Sequence, residues 1–341
     1  MTKKVSRRDL LKTGSVALSA AALIALPSGN PVQAAINPKA KVYFTDDISP
    51  AGLLKIYEKI KESVLGNTAG KVAIKLHTGE PNGPNLLPRE LIVALQAKIP
   101  NSTVVECNVL YESPRKNTKT HREVLKTNGW DFCPVDIMDA DGDHNLSISG
   151  MAELLKKHPP GKNGSPFSEG EHLSEVAVGK HFMDYDSMLV YTHFKGHLMG
   201  GFGGSLKNIS IGCASGKVGK LQIHGKGWPT GKTFLERMVE AGKGMVDHYG
   251  SKIAYINVLK NISVDCDCDP NGAKPTCPDI GIMASTDILA VDRASVDMIY
   301  ALPEKDKKDV VERIESRFGL RQLEHMKFLG MGNDQYEIIR V

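Results

Sequence analysis

The sequence predicts an α/β fold, a mostly parallel sheet with helices on both faces. Three observations carry this. Short apolar runs alternate along the chain with segments of helical apolar spacing, the pattern of strands joined by crossover helices. The loops that follow the runs are polar or glycine-rich, as loops at the carboxyl edge of a parallel sheet are. Hydrophobic residues make up 41% and charged residues 24% of 341, enough for a substantial core without a structural metal or disulfide.

In order, residues 41–44 read as a first strand. Residues 50–65 read as one helix, with Leu53, Leu54, Tyr57, Ile60 and Val64 at helical spacing and Ser49 as its cap before Pro50. A second strand, 72–76, runs into a turn-rich loop, 77–84, that holds His77 and Glu80. Residues 88–99 are helical and 103–107 form a strand. The polar loop 108–120 carries Tyr111, Arg115 and Asn117, and a helix over 121–128 is closed by Gly129. Residues 158–172, rich in proline and glycine, read as a surface loop. Residues 188–191 begin as a strand, 233–249 form a helix and 254–262 a strand. Ser285-Thr286-Asp287 caps a helix whose packing face is Ile288, Val291, Ala294, Ser295, Met298 and Ile299. Asp292 lies in its first turns, where a carboxylate suits the helix dipole. An amphipathic helix over 305–318 and a closing strand over 336–341 complete the chain.

The first 34 residues are expected to be removed. Lys3, Lys4, Arg7 and Arg8 precede a short alanine-rich apolar segment, and Val32-Gln33-Ala34 supplies small residues for cleavage after Ala34. Ser6-Arg7-Arg8-Asp9-Leu10-Leu11-Lys12 resembles a bacterial twin-arginine export signal. It implies a periplasmic or otherwise exported protein, with no stable membrane insertion once the signal is gone. The segment holds five basic residues and one acidic, so residues 35–341 carry 38 of each and no formal net charge. Nothing in that balance favours nucleic acid or an anionic membrane as partner. Residues 35–341 are read as one α/β domain.

The chain is organised around residues 186–225. A strand there gives way to glycines carrying His193, Lys195, His197, Lys207, Asn208, Cys213, Lys220 and His224. His193 and His197 share a face whether the segment is strand or helix, and Lys195 joins them only if it is extended. Two imidazoles so placed can ligate a metal, or can be hydrogen-bonded residues at a strand end. The second landmark is Cys266-Asp267-Cys268, followed by Cys277. A Cys-x-Cys pair can offer two thiolates to one metal ion or cluster, or Cys277 can join either in a disulfide.

The stretches HFKGHLMGGFGGSLKNISIGCAS, CDCDP and PDIGIMASTDILAVDRASVD, with Lys220 and His224, resemble domain-of-unknown-function family 362. So do VAIKLHTGEPNG and NVLYESPRKNTKTH. Members are often labelled iron–sulfur centre proteins, which implies an α/β fold and a metal or iron–sulfur connection. Many relatives carry a ferredoxin-like insert between the His224 region and the Cys-x-Cys motif. It is missing here, where residues 225–262 contain no cysteine, leaving Cys213, Cys266 and Cys268 as the family-pattern thiols.

The leading expectation is an exported metal- or iron–sulfur-binding protein, redox-linked and open to a redox partner. Cys213, His224, Cys266, Cys268 and Cys277 are the candidate ligands, and His193, Lys195 and His197 the candidate catalytic groups. Lys75, Arg115, Lys207 and Asn208 are the candidate residues for an anionic cofactor or substrate group. The rivals are a cluster-free enzyme acting on a small carboxylate or phosphate, and a binding protein for an anionic solute. Cys213 and the Cys-x-Cys pair are expected to share one site.

Overall fold

The apolar runs become the inner strands of one eight-stranded sheet. The computed structural model describes residues 38–66 and 70–341, so the expected signal at 1–34 lies outside the described residues. The strands are β1 Ala40–Thr45, β2 Val72–Lys75, β3 Ser102–Glu106, β4 Val135–Ile137, β5 Asp143–Ser147, β6 Glu175–Gly179, β7 Ser187–His193, β8 Lys195–His197, β9 Gly201–Gly203, β10 Ile253–Leu259, β11 Gly281–Ser285 and β12 Tyr336–Arg340. The helices are α1 Pro50–Tyr57, α2 Lys61–Leu65, α3 Arg89–Lys98, α4 Thr118–Thr127, α5 Met151–Lys157, α6 Ser205–Cys213, α7 Gly219–His224, α8 Lys232–Tyr249, α9 Ile288–Tyr300, α10 Glu304–Ser316 and α11 Arg321–Phe328. Residues Lys39–Val341 form one compact unit. No helix among the described residues is long and apolar enough to cross a membrane.

The strand order is β12-β1-β11-β10-β7-β2-β3-β4. Every pairing is parallel except the two made by β11, so the sheet is mostly parallel, as expected. From β2 the chain moves outward to β3 and β4, then returns to place β7 and β10 on β2's other side. A path that reverses in this way leaves a crevice at the carboxyl ends of the strands where it reverses. Here those strands are β2, which ends at Lys75, and β7, which ends at His193.

Helices cover both faces. On one, Ile74, Leu189 and Ile256 pack with Leu53, Ile56 and Leu95 from α1 and α3 in a core closed to solvent. On the other, α6 and α9 are tied through buried Asn257. Its Oδ1 accepts from Ser205 Oγ at 2.8 Å, and its Nδ2 donates to Asp292 Oδ1 at 2.8 Å and Ser295 Oγ at 2.9 Å. Buried polar atoms satisfied in this way specify which helix sits where.

Three local expectations change. The helix expected over 50–65 starts on its Ser49 cap but breaks after Tyr57. Lys59 and Ile60 form i→i−3 bonds to Ile56 and Tyr57, tightening the turn so that Ile60 and Val64 stay buried. The glycine-rich centre hides a hairpin, β8–β9, and the helix α6. Asp292 does not serve its own helix: it reaches across to α6 and accepts from the N–H groups of Ser205 at 2.7 Å and Leu206 at 2.9 Å. Gly204 allows this approach, because a Cβ there would lie 2.5 Å from Asp292 Oδ1.

Candidate functional site

The crevice is built by four segments that meet at the sheet edge. From β7 the chain stays extended: Phe194 N–H donates to Val258 O at 3.0 Å and carries the backbone into β8. His193 and Lys195 then face one group, the buried carboxylate of Asp267. His193 Nδ1 lies 2.9 Å from both of its oxygens and Lys195 Nζ 2.8 Å from Oδ2. Burial alone would raise the Asp267 pKa, but the charges of His193 and then Lys195 outweigh it and hold the carboxyl far below the usual range. His193 Nε2 is bonded to Lys260 O at 2.8 Å, so both ring nitrogens are occupied. Two of the three residues read as catalytic candidates, His193 and Lys195, thus anchor the middle residue of the Cys-x-Cys motif.

That anchor aims the flanking cysteines at His197. One donor atom from each of His197, Cys266 and Cys268 lies within 4.8 Å of the others, with His197 Nε2 3.9 Å from Cys268 Sγ. The hydrogen bond with Cys268 pulls the Cys266 thiol down to about 5; burial opposes this, and Lys207 and Lys195 reinforce it. Cys268 keeps the shared proton, its own pKa pushed up by that same hydrogen bond and by burial. His197 Nδ1 accepts from the N–H groups of Gly200 at 2.9 Å and Met199 at 3.2 Å. In the neutral ring the proton therefore sits on Nε2, toward the sulfur. Burial, then Lys207 and His224, keeps this imidazole neutral.

Two sulfurs and an imidazole suit a thiophilic ion. The thiol pair fits directly, whereas His197 enters the coordination shell only after its Nε2 proton leaves. The donor set departs from the expected one. Cys213, at the end of α6, lies apart from the group: its carbonyl receives the Cys107 thiol at 3.5 Å, and the nearby charges are Lys75, Lys220 and Glu106. Cys277 is also outside, with Asp306 and Asp309 of α10 as its charged neighbours. All six cysteines are free thiols, and no Cys277 disulfide is formed.

The expected anion binders separate in the same way. Lys75 Nζ is bonded to Leu76 O and lies 3.4 Å from Glu106 Oε2, with its side chain laid over Gly212. Arg115 is shared between Glu106 at 3.1 Å and Glu80 at 3.3 Å, and Glu80 is further held by Tyr111 and Ser113. Asn208 Nδ2 donates to Tyr191 O and Thr192 Oγ1, both at 3.0 Å, fastening α6 to β7. Lys207 differs: its ammonium group has no hydrogen-bond or ion-pair partner among the described residues. It lines a cavity of about 270 Å³ with His77, His197, His224, Lys220 and Cys268. His224 stacks on Phe234 and packs at a tilt against Trp228, and burial followed by Lys207 and Lys220 lowers its pKa to about 3.

Sequence reasoning noted His77, Glu80 and Arg115 on neighbouring loops of one edge, and they do meet here. It left Asp267, Glu106 and Trp228 out of the site. Asp267 alone had a local signal, its place between two cysteines.

A search of the curated proteins found no match. Among solved structures, the lactate racemase apoprotein from Thermoanaerobacterium thermosaccharolyticum is 13% identical with a TM-score of 0.40, over 76% of this chain and 57% of that one. A crystal structure of a protein from Thermotoga maritima is 12% identical with a TM-score of 0.39, over 74% and 58%. The chain thus spans less than two thirds of the length of either protein. The model of the DUF362 family, a domain of unknown function, matches residues 72–297, and the chain belongs to that family.

Proposed function

We propose that this is an exported, redox-linked metal-binding protein whose ion is held by Cys266 and Cys268, with His197 as the third donor. The observation that supports the reading most is the convergence of one donor atom from each of these three side chains within 4.8 Å, with His197 and Cys268 on the wall of a cavity. Bound there, a thiophilic ion would supply a Lewis acid and, for iron, nickel or copper, an electron-transfer centre. A single ion suits three donors better than a four-cysteine cluster does, since neither Cys213 nor Cys277 reaches the group.

The chain's own residues do the rest. Asp267, fixed by His193 and Lys195, holds the two sulfurs at one edge of the cavity. The turn Leu198–Gly200 folds over His197 and orients its ring through two backbone N–H groups. Lys207 and Lys195 favour the thiolate form of Cys266.

Cobalt(II) titration of the reduced protein tests this through thiolate-to-cobalt charge-transfer absorption. Cys266→Ser and Cys268→Ser are each expected to abolish the bands, and Cys213→Ser to leave them intact. Bands that survive Cys268→Ser, or vanish with Cys213→Ser, would overturn the assignment.

Export rests on the twin arginines. The double variant Arg7→Lys, Arg8→Lys is expected to accumulate as uncleaved precursor in the cytoplasm. Normal processing of that variant, followed by immunoblot of cell fractions, would rule the route out.

A further inference from the structure

The cavity beside the sulfurs has a chemical character of its own. Its wall is largely apolar, with Val109, Leu110, Met199 and Ile211 among the lining residues and Trp228 beside His224. Its polar groups are mostly donors. His77 Nδ1 accepts from Gly79 N–H at 3.0 Å, which leaves the proton of the neutral ring on Nε2. Burial, then Arg115, keeps that ring neutral. Lys220 Nζ is spent on Ala214 O at 2.6 Å, and Arg115 on its two glutamates. Lys207 remains, a partly exposed ammonium group on the cavity wall with no protein acceptor. It is free to take a counter-ion that enters the cavity.

The identity of that counter-ion follows from what is already occupied. α6 begins beside this space, and the N-terminus of a helix is the usual seat of a phosphate. Its first amides already bind the Asp292 carboxylate. With one uncommitted cation and no free amide nest, the site matches a single negative charge and does not match a dianion. The apolar wall, with the indole of Trp228 among its lining, suits a hydrocarbon-rich body and an aromatic ring in particular.

We infer that the cavity binds a small monocarboxylic acid with a flat apolar body, its carboxylate on Lys207 and its body against Trp228, Leu110 and Ile211. The site shares His197 and Cys268 of its wall with the metal reading, but the carboxylate is placed on Lys207 and the probe is read without metal, so either can fail without the other.

The test uses benzoate as probe and tryptophan fluorescence as signal. Trp228 lines the cavity, while Trp130 is buried with its indole N–H on Thr78 O at 2.9 Å and should not respond. Benzoate titrated into the reduced, metal-free protein is expected to give a saturable change that Trp228→Phe removes. Benzyl alcohol, the neutral analogue, is expected to bind about tenfold or more weaker, as loss of a charge-assisted hydrogen bond dictates, and phenyl phosphate is expected to bind weaker because its second negative charge enters the apolar space without a partner. Lys207→Met should weaken benzoate by a similar factor, read on the same reduced, metal-free protein. The inference is overturned by a non-saturable benzoate response, by equal affinity for benzyl alcohol, by tighter binding of phenyl phosphate, or by an unaltered Lys207→Met. The analogue comparison needs no variant, so a poorly folding Lys207→Met leaves the test intact. Lost cobalt bands with normal benzoate binding would count against the metal proposal alone.

Discussion

Replacing Gly196 by alanine is expected to lift the Cys-x-Cys loop from its bed and abolish cobalt binding. Gly196 is the middle residue of β8, and the loop crosses directly above it. Its N–H donates to Ser263 O at 2.7 Å. A Cβ at this position would lie 2.4 Å from the carbonyl oxygen of Val264 and 2.6 Å from its Cα. These are backbone atoms two residues before Cys266, so no side-chain rotation relieves the clash. The loop must move, and with it the sulfurs that Asp267 holds against His197. Overpacking of this kind costs about 1–3 kcal/mol. The control is Gly203→Ala on the partner strand β9, where a Cβ meets nothing closer than the flexible Lys207 Cδ at 3.4 Å. Gly203→Ala should be near neutral in denaturation and cobalt titration. A Gly196→Ala protein that binds cobalt like the wild type would show that the loop does not rest on β8 as described.

Glu106→Ala is expected to destabilise the fold more than any other single change at this edge. The carboxylate faces Lys75 and Arg115 and also accepts from Thr78 N–H at 2.6 Å and Thr78 Oγ at 3.0 Å. All of these residues are buried. Removing one partner of a buried ion pair leaves uncompensated charge and costs about 3–5 kcal/mol. That is a large share of the roughly 5–15 kcal/mol that holds a domain together. Acid exposes the same interaction. Burial would raise the Glu106 pKa, but Lys75 and then Arg115 outweigh it, so the folded value lies below the ordinary 4.5. A depressed carboxyl pKa means stability that is complete above the unfolded value and lost as pH falls from there toward the folded value. Wild-type stability in urea should therefore decline below about pH 4.5, and Glu106→Ala should remove part of that slope while lowering the plateau. A variant within about 1 kcal/mol of wild type at neutral pH would mean the network does not carry this weight.

The frame of the molecule is legible in the sequence because strands buried under helices must be apolar, and crossover helices must show helical spacing. Residues 72–76 and 103–107 were sufficient to place β2 and β3. Ser49 and Asp287 announced their helices as local caps. Where a cap comes from far away, the signal fails: α6 is capped by Asp292, 87 residues on, so a helix inside a glycine run went unread. The site divides in the same manner. Cys266 and Cys268 are neighbours in sequence, and their meeting with His197 follows from two loops reaching one sheet edge. Cys213 also stands near that edge, but α6 carries it in among Lys75, Lys220 and Cys107, an outcome set by helix length and packing. Lys75 and Arg115 resembled anion binders because their glutamate partners lie on other segments. Only the fold shows that Lys207 alone among the four expected binders is left uncommitted.

The placement of β1 has a consequence for timing. Residues 43–45 align with 282–284 on β11, and residues 40–44 with 336–340 on β12. Both neighbours of the earliest strand are therefore made last. A nascent chain emerging from the ribosome carries β1 without either partner until residues 281–340 follow, and closing so long a span takes entropy before any contact repays it. An unpaired strand edge in that interval invites association with other chains. Closure of the sheet on both edges of β1 must therefore wait until residues 336–340 have emerged.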